Sequence, residues 1–294
     1  MTTISARLQA VHDRIGRAAR MAGRPASDIT LIAVSKTFPV EKIIAAYEAG
    51  QCAFGESYVQ EGVEKVTRLS RLPLEWPADR SRSDVPRPSA GVASPQGPLL
   101  RPLEWPAAHP HQKNDQPSSD VPRPSAGVAS PQGPLLRPLE WHFIGPIQSN
   151  KTRLIAEHFD WVHSVEREKI AARLNEARPA GLPPLNVCIQ VNISGEGSKS
   201  GIAPGGELAL ARAIIALPRL RLRGLMAIPE PTPDVQLQRR RFALLRELRD
   251  KLVAAGIPLD TLSMGMSDDL EAAIAEGATM VRVGTAIFGK RREM

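Results

Sequence analysis

Ile29-Thr30-Leu31-Ile32-Ala33-Val34-Ser35-Lys36 is the stretch on which the reading of this chain turns. Its first seven residues, Ile29–Ser35, make an apolar, β-branched run of strand length, and Thr37-Phe38-Pro39 supplies the turn that ends it. Lys36 therefore stands at the end of a buried strand, its stem anchored by rigid backbone and its amine at the mouth of a sheet. Crowding and partial burial disfavour an ammonium in such a place, and a neutral amine can attack a carbonyl. A lone lysine can equally cap a strand at the surface, so the chemistry needs a second feature from elsewhere in the chain.

Outward from this run, short apolar stretches alternate with helical ones. Including Ile29–Ser35 there are eight strand candidates; the others are Cys52–Gly55, Trp141–Gly145, Asp160–His163, Leu185–Asn192, Leu220–Ile228, Leu259–Met264 and Thr279–Val283. The spacing of Ile4, Leu8, Val11 and Ile15 predicts a helix over Ile4–Ala19, ended by Gly23 and Pro25. Further helices are expected over Val40–Ala49, Tyr58–Leu69, Arg167–Ala177, Glu207–Leu217, Gln236–Ala255 and Asp268–Glu276. Eight strand–helix units point to an α/β fold, a single-domain (β/α)8 TIM-type barrel. A doubly wound open sheet is the alternative, but no G-x-G-x-x-G follows the first strand.

A barrel places its site at the C-terminal ends of the strands. The residues that follow each candidate are Lys36, Gly55-Glu56-Ser57, the run Gly145 to Asn150, Ser164, Asn192, Met226-Ala227-Ile228, Gly265-Met266-Ser267 and Gly284-Thr285. Most are glycine or small polar residues, as a ring of ligand-facing loops requires, although ordinary turns favour the same types. Ser263 to Asp269 leads into a helix, with Ser267 placed to act as its N-cap, and amides exposed there attract a phosphate. Gly284, after Val281-Arg282-Val283, lets backbone amides approach an anion. Phosphate sites after the seventh and eighth strands recur on barrels. An amine and a phosphate cradle on one rim together suggest pyridoxal 5′-phosphate (PLP) held as a Schiff base.

A duplicated segment interrupts this pattern. Ser83–Trp105 and Ser119–Trp141 are identical, and the tetrapeptide PLEW occurs a third time at Pro73–Trp76. Excising 77–141 joins Trp76 to His142 and leaves 229 of the 294 residues. The excised piece holds 14 of the 27 prolines and no Ile, Phe or Tyr, too little apolar surface to offset the entropy of ordering. It is expected to be a disordered, Pro-rich insertion between barrel segments 1–76 and 142–294. A polyproline ligand for a partner is the functional alternative. His109 and His111 have no third ligand nearby and are not expected to hold a metal.

Composition narrows the class. Hydrophobic residues make up 42% of the chain, enough for a sizeable core. The net charge is +7, carried largely by arginines such as Arg239-Arg240-Arg241 on helical stretches, which read as solvated faces rather than a nucleic-acid stripe. Aromatics at 4% also argue against a base-stacking surface. Cys52 and Cys188 lie in apolar runs and are expected to be buried thiols. No signal peptide and no membrane-length apolar run is seen, so a cytoplasmic, monomeric protein without nucleic-acid or membrane partners is expected.

With these motifs in hand, the chain resembles the YggS/PROSC family of pyridoxal phosphate homeostasis proteins. The matching text is AVSKTFPVEKI, FGESYVQEG, WHFIGPIQSNK, VNISGEGSKSGI, GLMAIPEP and SMGMSDDLEAAIAEGATMVRVGTAIFG. The resemblance implies a PLP-binding barrel similar to the N-terminal domain of alanine racemase, and a PLP carrier or regulator of vitamin B6 balance that serves PLP-dependent apoenzymes. By motif, Lys36 matches the Schiff-base lysine and Arg282 the arginine that faces the pyridine nitrogen. Ser267, Gly284 and Thr285 fall at the phosphate ligands, and Lys199, Ser200 and Gly201 in a signature near the cofactor. Ser57 and Asn150 belong to matching rim motifs, but Ser57 stands where the family usually has Asn, which puts its direct contact with the cofactor in doubt.

The residue chemistry limits the reaction. An arginine opposite the ring nitrogen disfavours a protonated pyridinium and so weakens PLP as an electron sink. Only five residues follow Gly289, so no second domain is expected to supply an opposing acid or base. A carrier therefore fits better than the alternatives, a PLP-dependent amino-acid racemase or an aldolase-like barrel that uses Lys36 without PLP.

Overall fold

The computed structural model describes residues 3–71, 138–195 and 200–289. Eight parallel strands close into a barrel in the order β1 to β8, each bonded to its sequence neighbours, and β8 returns to β1. The strands are β1 Thr30–Val34, β2 Ala53–Glu56, β3 Glu140–Phe143, β4 Trp161–Val165, β5 Leu185–Gln190, β6 Leu220–Met226, β7 Thr261–Ser263 and β8 Met280–Val283. All eight expected strands occur in the expected order, with ends shifted by one or two residues: β2, β3 and β4 each reach past an expected limit, and the others fall short. The open-sheet alternative is excluded by the β1–β8 pairing of Thr30 with Met280 through Ala33 with Val283.

Helices α1 Ile4–Met21, α2 Val40–Glu48, α3 Val59–Leu69, α4 Thr152–His158, α5 Glu168–Ala177, α6 Glu207–Ile215, α7 Val235–Ala254, α8 Leu270–Ala275 and α9 Thr285–Phe288 complete the fold. α4 and α9 escape the sequence reading because seven and four residues are too few to show a helical period. Helix starts follow local chemistry: the Thr3 hydroxyl accepts from Ala6 N–H, and Asp234 accepts from Gln236 and Leu237 N–H. Arg239, Arg240 and Arg241 lie on α7 and face Glu276, Asp234 and Glu230.

Strand alternation sorts the core in two. Outward residues such as Leu31, Ala33, Phe54, Phe143, Val187, Ile189, Leu225 and Val281 pack against Leu8, Ile43, Ile155, Leu174, Phe242 and Leu245 of the helices. Inward residues Ile32, Ala53, Trp161, Cys188, Met226 and Met280 form a separate cluster inside the barrel. A barrel interior packed in this way is a core and not a pore. Cys188 is buried as expected; Cys52 is only half-buried, because it precedes β2 rather than lying within it.

The insertion falls outside the described residues, and so do His109 and His111. β3 starts within the last PLEW copy at Glu140, one residue before the expected Trp141, with Glu140 and Trp141 paired with Ala53 and Phe54. The strand must reach back that far to match the depth of β2. Among the described residues no helix is long and apolar enough to cross a membrane, and no cluster of three metal-ligating side chains occurs.

Candidate functional site

Closure of the barrel makes β7, β8, β1 and β2 consecutive neighbours, so their C-terminal ends share one arc of the rim. Lys36 is half-buried, two residues beyond the end of β1. Ala33 pairs with Val283, and the next residues, Val34 and Gly284, also meet: a Cβ on Gly284 would stand 3.2 Å from the Val34 carbonyl oxygen. Glycine thus keeps backbone open between the strand end that carries Lys36 and Thr285, which is exposed at the start of α9. On the other flank of β8, Arg282 N–H donates to the Gly265 carbonyl at 2.9 Å, which draws in the loop that carries half-buried Ser267.

Ser267 is not the helix cap the sequence suggests. α8 begins at Leu270 with Asp269 as its cap residue, and the Asp269 carboxylate accepts from Met266 N–H at 2.5 Å. The Asp269 carboxylate thus ties back the loop before α8 and caps none of its amides. Ser267 instead offers its carbonyl to Arg14 at 3.0 Å and leaves its hydroxyl on the rim.

The backbone on both sides of Lys36 is clamped by buried charge. Lys65 on α3 donates to the Ser35 carbonyl at 2.8 Å, to Glu56 Oε1 at 2.8 Å and to Glu61 Oε1 at 2.6 Å. The Ser35 hydroxyl donates to the same Glu56 oxygen at 2.7 Å, and Thr37 N–H donates to Glu61 at 2.6 Å. Thr37 adopts φ 66°, a left-handed conformation uncommon for a non-glycine residue, and the Glu61 bond holds it there. Burial, against the pull of Lys65 and Ser35, raises the Glu56 carboxyl above its usual value. Its Oε2 is buried without a partner.

Arg282 lies inside the barrel, 3% exposed. It donates from Nη1 to the Ser263 hydroxyl at 2.6 Å and from Nη2 to the Ala227 carbonyl at 2.9 Å. Burial pushes the guanidinium down to about 10, opposed by Asp269 and Cys188. Both of these bonds go to neutral acceptors, so a buried cation with further N–H donors suits a ligand that offers a ring nitrogen. His163 Nδ1 lies 2.8 Å from the same Ser263 hydroxyl, and its Nε2 lies 2.9 Å from His142 Nδ1.

Of the other described candidates, Ser57 lies on this arc, and Asn150 and Ser200 lie apart from it. Ser57 is half-buried at the end of β2, where its carbonyl leaves only 2.2 Å for a Cβ at position 145, so Gly145 is required there. Asn150 is exposed in the turn before α4, a turn tied to α5 by the bond from Arg173 to the Ser149 carbonyl at 2.9 Å. Ser200 is exposed and accepts at its carbonyl from Gln190 at 3.2 Å. Lys199 lies outside the described residues. The sequence reading missed Lys65, Glu61, His142, His163 and Ser263 as parts of the site. A signal existed for three of them, since His142, His163 and Ser263 are polar residues within apolar strands.

Residues 6–292 match the family model of the alanine racemase N-terminal domain. A pyridoxal phosphate homeostasis protein of Pseudomonas aeruginosa is 48% identical over 291 residues, 99% of this chain and 97% of the relative. The chain belongs to the pyridoxal phosphate homeostasis protein family. Its relative of that name from Escherichia coli is 45% identical over 99% of this chain and 98% of its own length. Among solved structures, PipY of Synechococcus elongatus with PLP bound is 29% identical, covers 97% of this chain and all of its own, and superposes with a TM-score of 0.66. An alanine racemase of Corynebacterium glutamicum shares the fold at 14% identity and a TM-score of 0.55.

Proposed function

We propose that this chain binds PLP on the rim formed by β7, β8 and β1, and serves PLP homeostasis by holding the cofactor and passing it to PLP-dependent apoenzymes. The observation that carries the reading is the meeting of a half-buried lysine, a glycine-opened β8 end and a buried arginine on adjacent strands. The family relationship and the PLP-bound relative support it.

Lys36 is the amine that holds the cofactor as a Schiff base. The clamp of Lys65, Glu56 and Glu61 fixes its backbone, so that little rotational freedom is lost on binding. Ser267, Gly284 and Thr285 hold the phosphate, by hydroxyl and backbone donors at the rim. Arg282 faces the ring nitrogen and keeps it unprotonated, since two positive charges would otherwise meet. Ser57, Asn150, Lys199 and Ser200 are the remaining candidate contacts in this reading. Bound PLP supplies an aldehyde carbon that one amine can release to another.

A carrier suits these residues better than a racemase. Of the two tyrosines, Tyr47 is buried on α2 and Tyr58 is exposed before α3, and neither is placed as an opposing base. The chain acts as a monomer in this reading. The test is a visible absorption spectrum of the purified protein, followed by borohydride reduction and peptide mapping. An adduct on Lys36 and loss of the band in Lys36→Ala are expected. An adduct on another lysine sinks the assignment, and turnover of free amino acids would favour the enzyme reading.

A further inference from the structure

A line of polar side chains runs through the barrel interior, from the N-terminal end of β3 to Arg282. Glu140 Oε1 lies 2.9 Å from His142 Nε2, and His142 Nδ1 lies 2.9 Å from His163 Nε2. His163 Nδ1 lies 2.8 Å from Ser263 Oγ, which accepts from Arg282 Nη1 at 2.6 Å. Glu140 is 41% exposed at its side chain, whereas His142 and His163 are wholly buried. The line therefore links the outer mouth of the barrel to its most enclosed cation.

We propose that Glu140, His142, His163 and Ser263 form a one-way hydrogen-bond chain that positions Arg282, with each histidine neutral and protonated only on Nε2. This rests on the reading of Arg282 as the residue that faces the PLP ring nitrogen. The direction follows from the two ends. Arg282 can only donate, so the Ser263 oxygen accepts from it. Taken alone, that end leaves two arrangements: Ser263 donates to His163 Nδ1, or it accepts a second bond from a proton on that nitrogen. The Glu140 end removes the second arrangement. A proton on His163 Nδ1 would leave its Nε2 bare, force a proton onto His142 Nδ1, and turn the bare His142 Nε2 toward a carboxylate 2.9 Å away. Two acceptors would then face each other, and the only escape, protons on both His142 nitrogens, makes a wholly buried cation whose one carboxylate contact is bent.

The remaining arrangement satisfies every link: Arg282 to Ser263, Ser263 to His163, His163 to His142, His142 to Glu140. The last contact is bent out of regular hydrogen-bond geometry, so it acts mainly as attraction between a polarised N–H and a charge. Charges around the line agree with it. Burial, with the Arg282 charge nearby, holds His163 well below its usual value and hence neutral. Burial opposes the Glu140 charge, but His142, the Trp161 contact and Arg223 outweigh it and keep the carboxyl ionised. Asp160 beside Glu140, and Asp269 and Cys188 around Arg282, are the other ionisable groups that face these elements.

The consequence is mechanical. Were His163 protonated on Nδ1 or charged, Ser263 would have to aim its own proton elsewhere, and the tightest bond that orients Arg282 would loosen. Glu140, His142, His163 and Ser263 are thus positioning residues that act through Arg282.

The test begins on the cofactor-free protein with 15N-labelled histidine. Imidazole NMR should show the single ring proton of His142 and of His163 on Nε2, and His163 should stay neutral well below the pH at which an ordinary imidazole takes up a proton. A proton on Nδ1 of either ring, or a charged His163 at neutral pH, overturns the proposal whatever the chain binds. In the PLP-loaded protein, Ser263→Ala should shift the midpoint of the visible pH titration upward, the direction expected of Arg282→Lys. Ser263→Thr, which keeps the hydroxyl, should restore it. An unshifted midpoint in Ser263→Ala overturns the positioning role. A parent chain that takes up no PLP refutes the proposed function instead, and the tautomer measurement then decides the chain of hydrogen bonds by itself.

Discussion

Lys65→Met tests whether buried charge holds the strand end that carries Lys36. The Lys65 and Glu56 side chains are 6% and 0% exposed, so their contact is shielded from water and salt. Methionine keeps most of the stem and removes the ammonium. Glu56 is then left with the Ser35 hydroxyl, and Glu61 with Thr37 N–H. Removing one member of a buried ion pair costs about 3–5 kcal/mol, because the other charge stays buried and uncompensated. At about 2–4 °C per kcal/mol for a domain of this size, the melting transition falls by about 6–20 °C.

The pH dependence gives the sharper test. The Glu56 carboxyl is already raised, chiefly by burial. A raised carboxyl contributes stability below its unfolded value of 4.5, and that contribution is lost as pH rises through the folded value. Loss of Lys65 raises the folded value further. The cost of the substitution is therefore greatest above the folded value and shrinks as the pH falls through it toward 4.5. Urea denaturation of parent and variant, followed by circular dichroism at several pH values, measures both quantities. A loss below about 1 kcal/mol, or one that does not shrink on acidification, refutes the reasoning.

Ser267→Ala and Thr285→Val should each weaken PLP binding by about 1.5–3 kcal/mol, roughly 10- to 150-fold, with little change in melting temperature; unchanged affinity in both would place the phosphate elsewhere. Cys188, buried inside the barrel and pushed up to about 12, should resist a thiol reagent at pH 8 in the folded protein while half-buried Cys52 reacts, as mass spectrometry can show. Deleting 77–141 should leave a folded, PLP-binding chain of 229 residues, neutral or mildly stabilised, since loop closure costs only about 0.6 kcal/mol per doubling of length. In that variant Glu75 and Trp76 take the places of Glu140 and Trp141 in β3, and a variant that fails to fold would contradict this.

Much of the barrel was legible because its signals are local. Ile29–Ser35 reads as a strand from its β-branched run, and the amphipathic period of Ile4 to Ile15 marks α1 without any knowledge of what it packs on. The errors are local as well: serine suits a helix cap, but α8 starts three residues after Ser267, with Asp269 in the cap position. α4 was missed because seven residues show less than two helical turns of pattern.

The sequence by itself determined the alternation of strands and helices, the duplicated insertion between them, and the strand-end position of Lys36. Each of these depends on neighbouring residues and on which side chains avoid water. Tertiary structure alone decided which polar groups meet. His163 and Ser263 are 100 residues apart and come within 2.8 Å, and Arg282 reaches Ala227 across 55 residues. Those contacts arise only when the eighth strand closes on the first and the register of each pair sets the depth of its inward side chains. A hydrogen bond between strands is fixed by that register, and no periodicity within one strand contains it.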